Sequence, residues 1–296
     1  TNLVDRIENR MEDMSDTYKN YGLFNGYLFE AIAYEMNANY LGLNENEGGG
    51  CINAGPFIPS TDLYDMAVDT YFKALDYTND DIQIRTIHSL IARCYLYNEK
   101  YSDAKAHADI GLQEGDPPLQ GLYVQSSDNF WWQQASLGLR VQVIVDDRFA
   151  QYIEEDENEI NRIPLLELPD DLNISADTAA VYWTQAKYIE ADSPIDYISW
   201  QENNLILAEL ATLHGQSGNA VDLINAVRTS HGIDPVASVD KDIIIEERDK
   251  ELFCEGARLI DQRRFDLWHL PGDTWKYIPL HDEERNANPN LQNDEE

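Results

Sequence analysis

Ile243-Ile244-Ile245-Glu246-Glu247-Arg248-Asp249-Lys250-Glu251-Leu252-Phe253-Cys254-Glu255-Gly256-Ala257-Arg258-Leu259-Ile260-Asp261-Gln262-Arg263-Arg264-Phe265 is the stretch on which the reading of this chain turns. At a period of 3.6 residues, Ile245, Leu252, Gly256 and Leu259 fall on one helical face. Beside it runs a charged stripe, Arg248, Glu251, Glu255 and Arg258. Residues three or four apart are neighbours on a helix surface, so the spacing predicts pairing of Arg248 with Glu251 and of Glu255 with Arg258. On pattern alone the stripe fits a solvated salt-bridge face equally well.

Downstream stands a second run: Ile278-Pro279-Leu280-His281, then Glu284, then Asn286-Ala287-Asn288-Pro289-Asn290-Leu291. Taken in this order, the first stretch (Glu247-Arg248, Glu251-Leu252, Glu255-Gly256, Arg258, Asp261, Arg264-Phe265) resembles the C-terminal signature helix of the SusD/RagB-like family of glycan- and nutrient-binding lipoproteins. The second resembles that family's closing segment, with His281 in place of the usual second proline. Further family-like pieces are Asp146-Asp147-Arg148-Phe149, the "SPI" of Ser193-Pro194-Ile195, and Glu202-Asn203 followed by Leu205-Ile206 and Ala208-Glu209. The resemblance spans roughly residues 60–291 and is weakest between 113 and 145.

Composition sets limits. Fifty-five acidic side chains against 21 basic ones give a formal net charge of −34 over 296 residues. Such a field repels phosphate backbones and anionic membranes, which argues against a nucleic-acid partner. A hydrophobic fraction of 43% marks a folded chain and not an acidic disordered one. Excess Asp and Glu with scarce lysine suggests a surface adapted to high salt, since self-repulsion is screened above about 1 M, where the Debye length is about 3 Å. Cys51, Cys94 and Cys254 are odd in number and scattered, with no metal-ligand spacing. The sequence shows no transmembrane run, signal peptide or initiator Met. Because family members carry an N-terminal lipoprotein cysteine, the resemblance implies that an anchor lies outside this chain.

Taken in order, residues 1–43 read as helical, with Tyr27, Ala31, Tyr34 and Ala38 on one face. Asn44 to Pro59, with Gly48-Gly49-Gly50, reads as a long exposed loop whose glycines supply flexibility. Ser60-Thr61-Asp62 reads as a helix cap. The helices that follow, with Ala67, Tyr71 and Ala74, then Ala92, Tyr95, Tyr101, Ala104 and Ala108 up to Leu112, fit a tetratricopeptide-like pattern of small and aromatic residues. A third copy runs through Ala208, Ala211, Gly215, Ala220, Ile224 and Val227. Units of this kind need neighbours to bury their faces. The predicted class is therefore all-α: tetratricopeptide-like helix pairs over 60–112 and 200–231, a loop-rich insertion over 113–199, minor short strands such as one within Val181–Tyr188, and a signature segment over 241–291, all in a single SusD-like domain, 1–296.

Catalytic chemistry has little footing. Carboxylate pairs arise by chance among so many acids, the six histidines show no ligand spacing, and neither a nucleophile elbow nor a phosphate-binding loop is present. No enzyme activity, cofactor or metal is expected. A binding role has better support. Sugars present flat apolar faces ringed by hydroxyls, so a binder sets aromatic platforms beside amides and carboxylates. The cluster Tyr123, Gln125, Asn129, Phe130, Trp131, Trp132 and Gln133 has that make-up, and Tyr123, Asn129, Trp131 and Trp132 are the candidate ligand residues. Asn53 and Phe57 are secondary candidates. Trp183, Trp200, Trp268 and Trp275 read as packing residues, and Arg248, Glu255, Arg258 and Asp261 as a structural ion-pair network. The resemblance implies a surface-exposed, lipid-anchored nutrient binder at the outer membrane, taking an oligosaccharide or peptide and partnered by a TonB-dependent, SusC-like transporter. The rival reading is a tetratricopeptide scaffold that binds another protein.

Overall fold

Helices α1 (Asn2–Arg10) and α2 (Asp16–Tyr40) open the chain. The computed structural model describes residues 2–11, 13–124, 126–135, 141–168, 181–271 and 274–291. Its contacts gather into two units: unit 1, Thr1–Gln113 with Leu259–Glu296, and unit 2, Glu114–Arg258. In unit 1, α2 turns Leu23, Phe24, Leu28, Ala31 and Ala38 inward and packs on α3 (Ser60–Leu75). Then follow α4 (Asp81–Tyr97) and α5 (Tyr101–Ala108), each against its predecessor. Ala67, Ala74, Ala92 and Ala104 are fully buried along these seams. Small side chains there let helix backbones approach closely, which is what the repeat-like spacing predicts. The turn between α4 and α5 has Glu99 at φ 57°. Helix α5 ends at Ala108, short of the expected Leu112, whose buried N–H instead donates to the Ser89 hydroxyl at 2.8 Å.

Two expectations in unit 1 need correction. Ser60 does not cap α3; its hydroxyl donates to the Ala38 carbonyl at 2.8 Å and ties α3 to α2. Nor is 44–59 an exposed flexible loop throughout. Strand β1 (Leu41–Gly42) leads into it, and β2 (Gly49–Cys51) and β3 (Phe57–Pro59) lie within it, antiparallel to each other. Gly48, Gly49 and Gly50 are buried. A Cβ on Gly49 would stand 2.2 Å from the Ile58 carbonyl oxygen, and one on Gly48 2.2 Å from the Tyr277 ring. The glycines provide close approach, not flexibility.

Unit 2 is built from shorter pieces: β4 (Leu119–Gly121), α6 (Phe130–Ala135), α7 (Asp147–Glu155), a 3-10 turn (Glu157–Asn161), β5 (Leu165–Glu167), β6 (Trp183–Gln185), β7 (Ile195–Ile198), α8 (Trp200–Leu213), α9 (Ala220–Ser230) and α10 (Lys241–Glu251). Strands β4 and β7 pair antiparallel, as do β5 and β6. Side chains of Asp146, Ser199, Asn219 and Asp240 accept backbone N–H groups at the starts of α7, α8, α9 and α10, the donors such caps ordinarily satisfy. Phe149, Ile163, Leu165 and Phe253 form a local core.

The decisive stretch is not one helix. Helix α10 stops at Glu251, the backbone turns through Cys254 (φ 61°) and Gly256 (φ 90°), and α11 (Arg258–Arg264) begins anew. Leu252 and Phe253, at the break, are both buried. The ion partners change accordingly. Arg248, 1% exposed, has its Nε 3.8 Å from Glu209. Glu251 meets His231, Glu255 meets Lys187, and Arg258 meets Asp249.

Back in unit 1, β8 (Ile278–Pro279) lies parallel to β1, and α12 (Asp282–Ala287) is capped by His281, whose Nδ1 accepts the Glu283 N–H at 3.1 Å. Leu280 and Leu291 join Leu43, with Phe57 and Cys51 packed against them. Buried Asn288 donates to the Gly55 carbonyl at 2.8 Å, and Asn290 to Ala54 at 2.9 Å. The closing asparagines therefore hold the glycine-rich hairpin.

Candidate functional site

Asn129 organises the candidate site from beneath. It is 0% exposed. Its Oδ1 accepts the backbone N–H groups of Trp131 (2.8 Å) and Trp132 (3.2 Å), which starts α6. Its Nδ2 donates to the Ser193 carbonyl at 2.7 Å, and its own N–H donates to Ala191 at 2.8 Å. An Asn spending its amide on these bonds is a positioning residue, with no face left toward solvent. The far end of α6 is fixed too: the Thr184 hydroxyl of β6 donates to the Ala135 carbonyl, and Gln185 reaches the Trp131 carbonyl at 3.5 Å.

This framing sets how the rings stand. Phe130 is 57% exposed, while Trp131 and Trp132 are each half-buried. Phe130 and Trp131 meet edge to face with centroids 6.2 Å apart, the arrangement ring quadrupoles favour. Tyr123, also half-buried, follows β4, its ring beside Gly121. Strand β4 pairs with β7, and Asn129 is tied to residues 191 and 193 just before β7. One strand thus supports both Tyr123 and α6. Gln125 lies outside the described residues. Two members escaped the sequence reading: Leu122, 80% exposed, and Val124, 57% exposed, flank Tyr123. Their signal, an apolar-aromatic-apolar triplet after a short strand, is indistinguishable in sequence from a buried strand end. This stretch exposes Leu122, Val124 and Phe130, with Tyr123 and both indoles partly open, and Glu190 and Asp192 are exposed on the segment that anchors Asn129.

The other candidates lie elsewhere. Asn53 is exposed at the tip of the β2–β3 hairpin in unit 1, in a left-handed conformation (φ 52°), and Phe57 packs on the Leu43 cluster. Trp200 is buried in α8, and Trp183 packs on the Phe149 core. Among the described residues no group of three or more His, Cys, Asp or Glu is arranged to hold a metal ion. No helix among them is long and apolar enough to cross a membrane.

Comparison with known proteins agrees with this architecture. Residues 202–295 match the model of the SusD family. Among curated proteins no relative matches. Solved structures do. A SusD superfamily protein from Bacteroides vulgatus superposes with a TM-score of 0.75 at 16% identity, over 97% of this chain and 80% of that one. Surface glycan-binding protein A from Bacteroides uniformis gives 0.71 at 16% identity, over 98% and 81%. A laminarin-binding SusD-like protein gives 0.68 at 14% identity, over 96% and 80%. This chain is SusD/RagB-like, by sequence over residues 202–295 and by fold along its length.

Proposed function

We propose that this protein binds a glycan on the surface formed by Leu122, Tyr123, Val124, Phe130, Trp131 and Trp132, and delivers it to a TonB-dependent, SusC-like transporter at the extracellular face of the outer membrane, where a lipid anchor holds it. The observation that carries the reading is the exposed aromatic-apolar surface itself, held rigid by buried Asn129. Such a surface offers C–H faces something to stack on, and pre-organisation limits the entropy lost when a sugar settles. The family match over 202–295 and the ligands for which two structural neighbours are named, a glycan and laminarin, point the same way. No enzymatic step is part of the proposal.

Tryptophan emission titrated with a panel of oligosaccharides and peptides tests it, with Trp131→Ala/Trp132→Ala run in parallel. A glycan that shifts wild-type emission and binds the folded variant at least tenfold more weakly supports the reading. Binding unchanged in the variant moves the site off this surface.

One observation favours a second reading, a protein-binding scaffold. Tyr18, Tyr21, Phe29 and Met36 of α2 are 70%, 68%, 61% and 46% exposed and fall on one side of the helix. Loss of pull-down of a protein partner by Tyr18→Ser/Phe29→Ser, together with silence across the glycan panel, would favour it.

A further inference from the structure

Unit 2 contains a cavity of about 220 Å³ whose wall carries Arg162, Lys187, Asp196, His231, Glu251 and Glu255 among uncharged residues such as Pro164, Ser199 and Gln201. Contacts apportion these charges. Arg162 is committed to Glu159 (Nε, 2.7 Å) and Glu247 (NH1, 2.7 Å). Arg228 completes Glu247, and Lys250 is shared by Glu159 (3.0 Å) and Glu246 (2.5 Å). Those three cations balance those three carboxylates. What remains on the wall is Asp196, Glu251 and Glu255 facing a single lysine, Lys187, with its Nζ 2.6 Å from Glu255, and His231, 3.0 Å from Glu251.

A second observation points to an occupant. Glu251 is 7% exposed, yet its Oε2 makes no aligned hydrogen bond, although it lies within ionic reach of His231 (3.0 Å) and Arg162 (3.6 Å). Ionic partners hold the Glu251 charge, and a ligand donor would add the aligned hydrogen bond that Oε2 lacks. Glu255 is crowded in the same way, and it holds its proton at neutral pH until a bound cation takes the proton's place. Burial, then the charges of Glu251 and Asp196, push its carboxyl up to about 8 against the pull of Lys187. Tyr188 and Cys254 also stand close enough to feel its charge.

We propose that this cavity binds a small hydroxylated primary amine, of the amino-sugar or amino-alcohol class, its ammonium against Glu251 and Glu255 and its hydroxyls toward Asp196, Ser199 and Gln201. An ammonium brings three donors and a full charge to carboxylates that outnumber their cations. The carboxylates do not close into a metal-binding group, so a cation that spreads its donors over them fits better than a bare ion. The volume falls below the roughly 300–1,000 Å³ of drug-sized sites, which suits one sugar ring.

The test is calorimetric titration of the whole chain with glucosamine, and with glucose as the uncharged comparison. It is repeated on Glu255→Gln, Asp196→Asn and Trp131→Ala/Trp132→Ala. The expected result is glucosamine binding at least tenfold tighter than glucose, lost by tenfold or more in Glu255→Gln and weakened less in Asp196→Asn. No binding by folded wild-type protein overturns the proposal, as does equal affinity for glucose, or loss only in the tryptophan variant. Should Glu255→Gln fail to fold, Asp196→Asn decides: weaker binding supports the site, and unchanged binding overturns it. Because the two sites use different side chains, either proposal can fail alone.

Discussion

The two units bury charge in different ways. In unit 1, long helices with alanine seams meet around a compact polar node, where Glu35 accepts from Arg93 Nε at 2.7 Å and from the Tyr71 hydroxyl at 2.7 Å, inside a core of Leu63, Ile87, Leu90 and Ile91. In unit 2, five consecutive residues, Glu247 to Glu251, are all charged and all buried, interlocked with Glu159, Arg162 and Arg228. Beside the apolar seam of α8 and α9, with Leu205, Ile206, Leu210, Ile224 and Val227 buried, ion geometry fixes how α10 meets the 3-10 turn. The helical node tolerates simplification; the ion cluster does not.

The largest effect should come from Arg162→Met. It removes the guanidinium that buried Glu159 and Glu247 share, leaving Lys250 and Arg228 to hold them, and removing one partner of a buried ion set typically costs about 3–5 kcal/mol. Urea unfolding should show that loss. The comparison is sharpened by the double variant Glu35→Leu/Arg93→Met in unit 1, where both charges leave together. Replacement of a whole buried pair by apolar residues is often nearly neutral. If the double variant loses as much as Arg162→Met, the contrast between units fails.

Acid provides a second way to break it. Burial alone would raise the carboxyls of Glu159 and Glu251. The hydrogen bonds and charges of Arg162 and Lys250 on Glu159, and of His231, Arg162 and Lys187 on Glu251, outweigh it and hold both below the usual carboxylate range. A folded-state value below the unfolded one, about 4.3 for Glu, means the unfolded chain binds more protons. The stabilisation is therefore full above about pH 4.3 and is lost as pH falls through the depressed values. Melting temperature should drop on acidification, and the drop should be shallower in Arg162→Met, whose carboxyls have already lost that partner. Parallel curves would assign acid sensitivity to groups outside the cluster.

Next in size is Gly49→Ala. At φ 145° with the Ile58 carbonyl 2.2 Å from the new Cβ, a side chain forces strained backbone to move, at a cost of roughly 1–3 kcal/mol. A change of less than about 0.5 kcal/mol in urea unfolding would restore flexibility as the reason for these glycines.

Gly48-Gly49-Gly50 also shows where the sequence stops being legible. A glycine run looks alike whether the chain must bend or must let a strand and a tyrosine ring come close; only the partner, Ile58 or Tyr277, separates the two. The alanine seams were legible because their period is local, and 3.6-residue spacing names the buried face without reference to a partner. The signature stretch was legible in kind and not in geometry. Its charged residues do form ion pairs, but pairing at i and i+3 presumed one helix, and the chain breaks at Cys254 and Gly256, where Phe253 packs on Phe149, about a hundred positions earlier. The aromatic cluster around Trp131 could be picked out by composition. That Asn129 faces inward could not, because an asparagine ahead of an aromatic pair reads equally as a ligand contact or a helix cap.

Asn129→Ala tests that positioning role. Loss of an N-cap typically costs about 0.5–2 kcal/mol. Here the same change also releases the anchor to Ser193. Affinity for whichever glycan the wild type binds should fall while the emission of free Trp131 and Trp132 moves to the red, as α6 frays. A lost affinity with unchanged emission would instead make Asn129 a direct contact.

The smallest expected effect completes the contrast between buried and exposed charge. Lys105 and Asp109 pair at i and i+4 on α5, 2.5 Å apart, with the aspartate 49% exposed. Pairs of this kind contribute about 0.3–0.5 kcal/mol, so Lys105→Ala should be barely measurable in dilute buffer. Above about 1 M salt, where screening acts over about 3 Å, it should become indistinguishable from wild type. The Arg162→Met deficit should persist there, because a buried cluster is screened far less than a surface pair. Both proteins should meanwhile melt at higher temperature as salt rises, since the −34 net charge repels itself in either. The informative quantity is the gap between variant and wild type at each salt concentration. A gap for Arg162→Met that closes along with the Lys105→Ala gap would place the cluster in water's reach and remove its claim to specify unit 2.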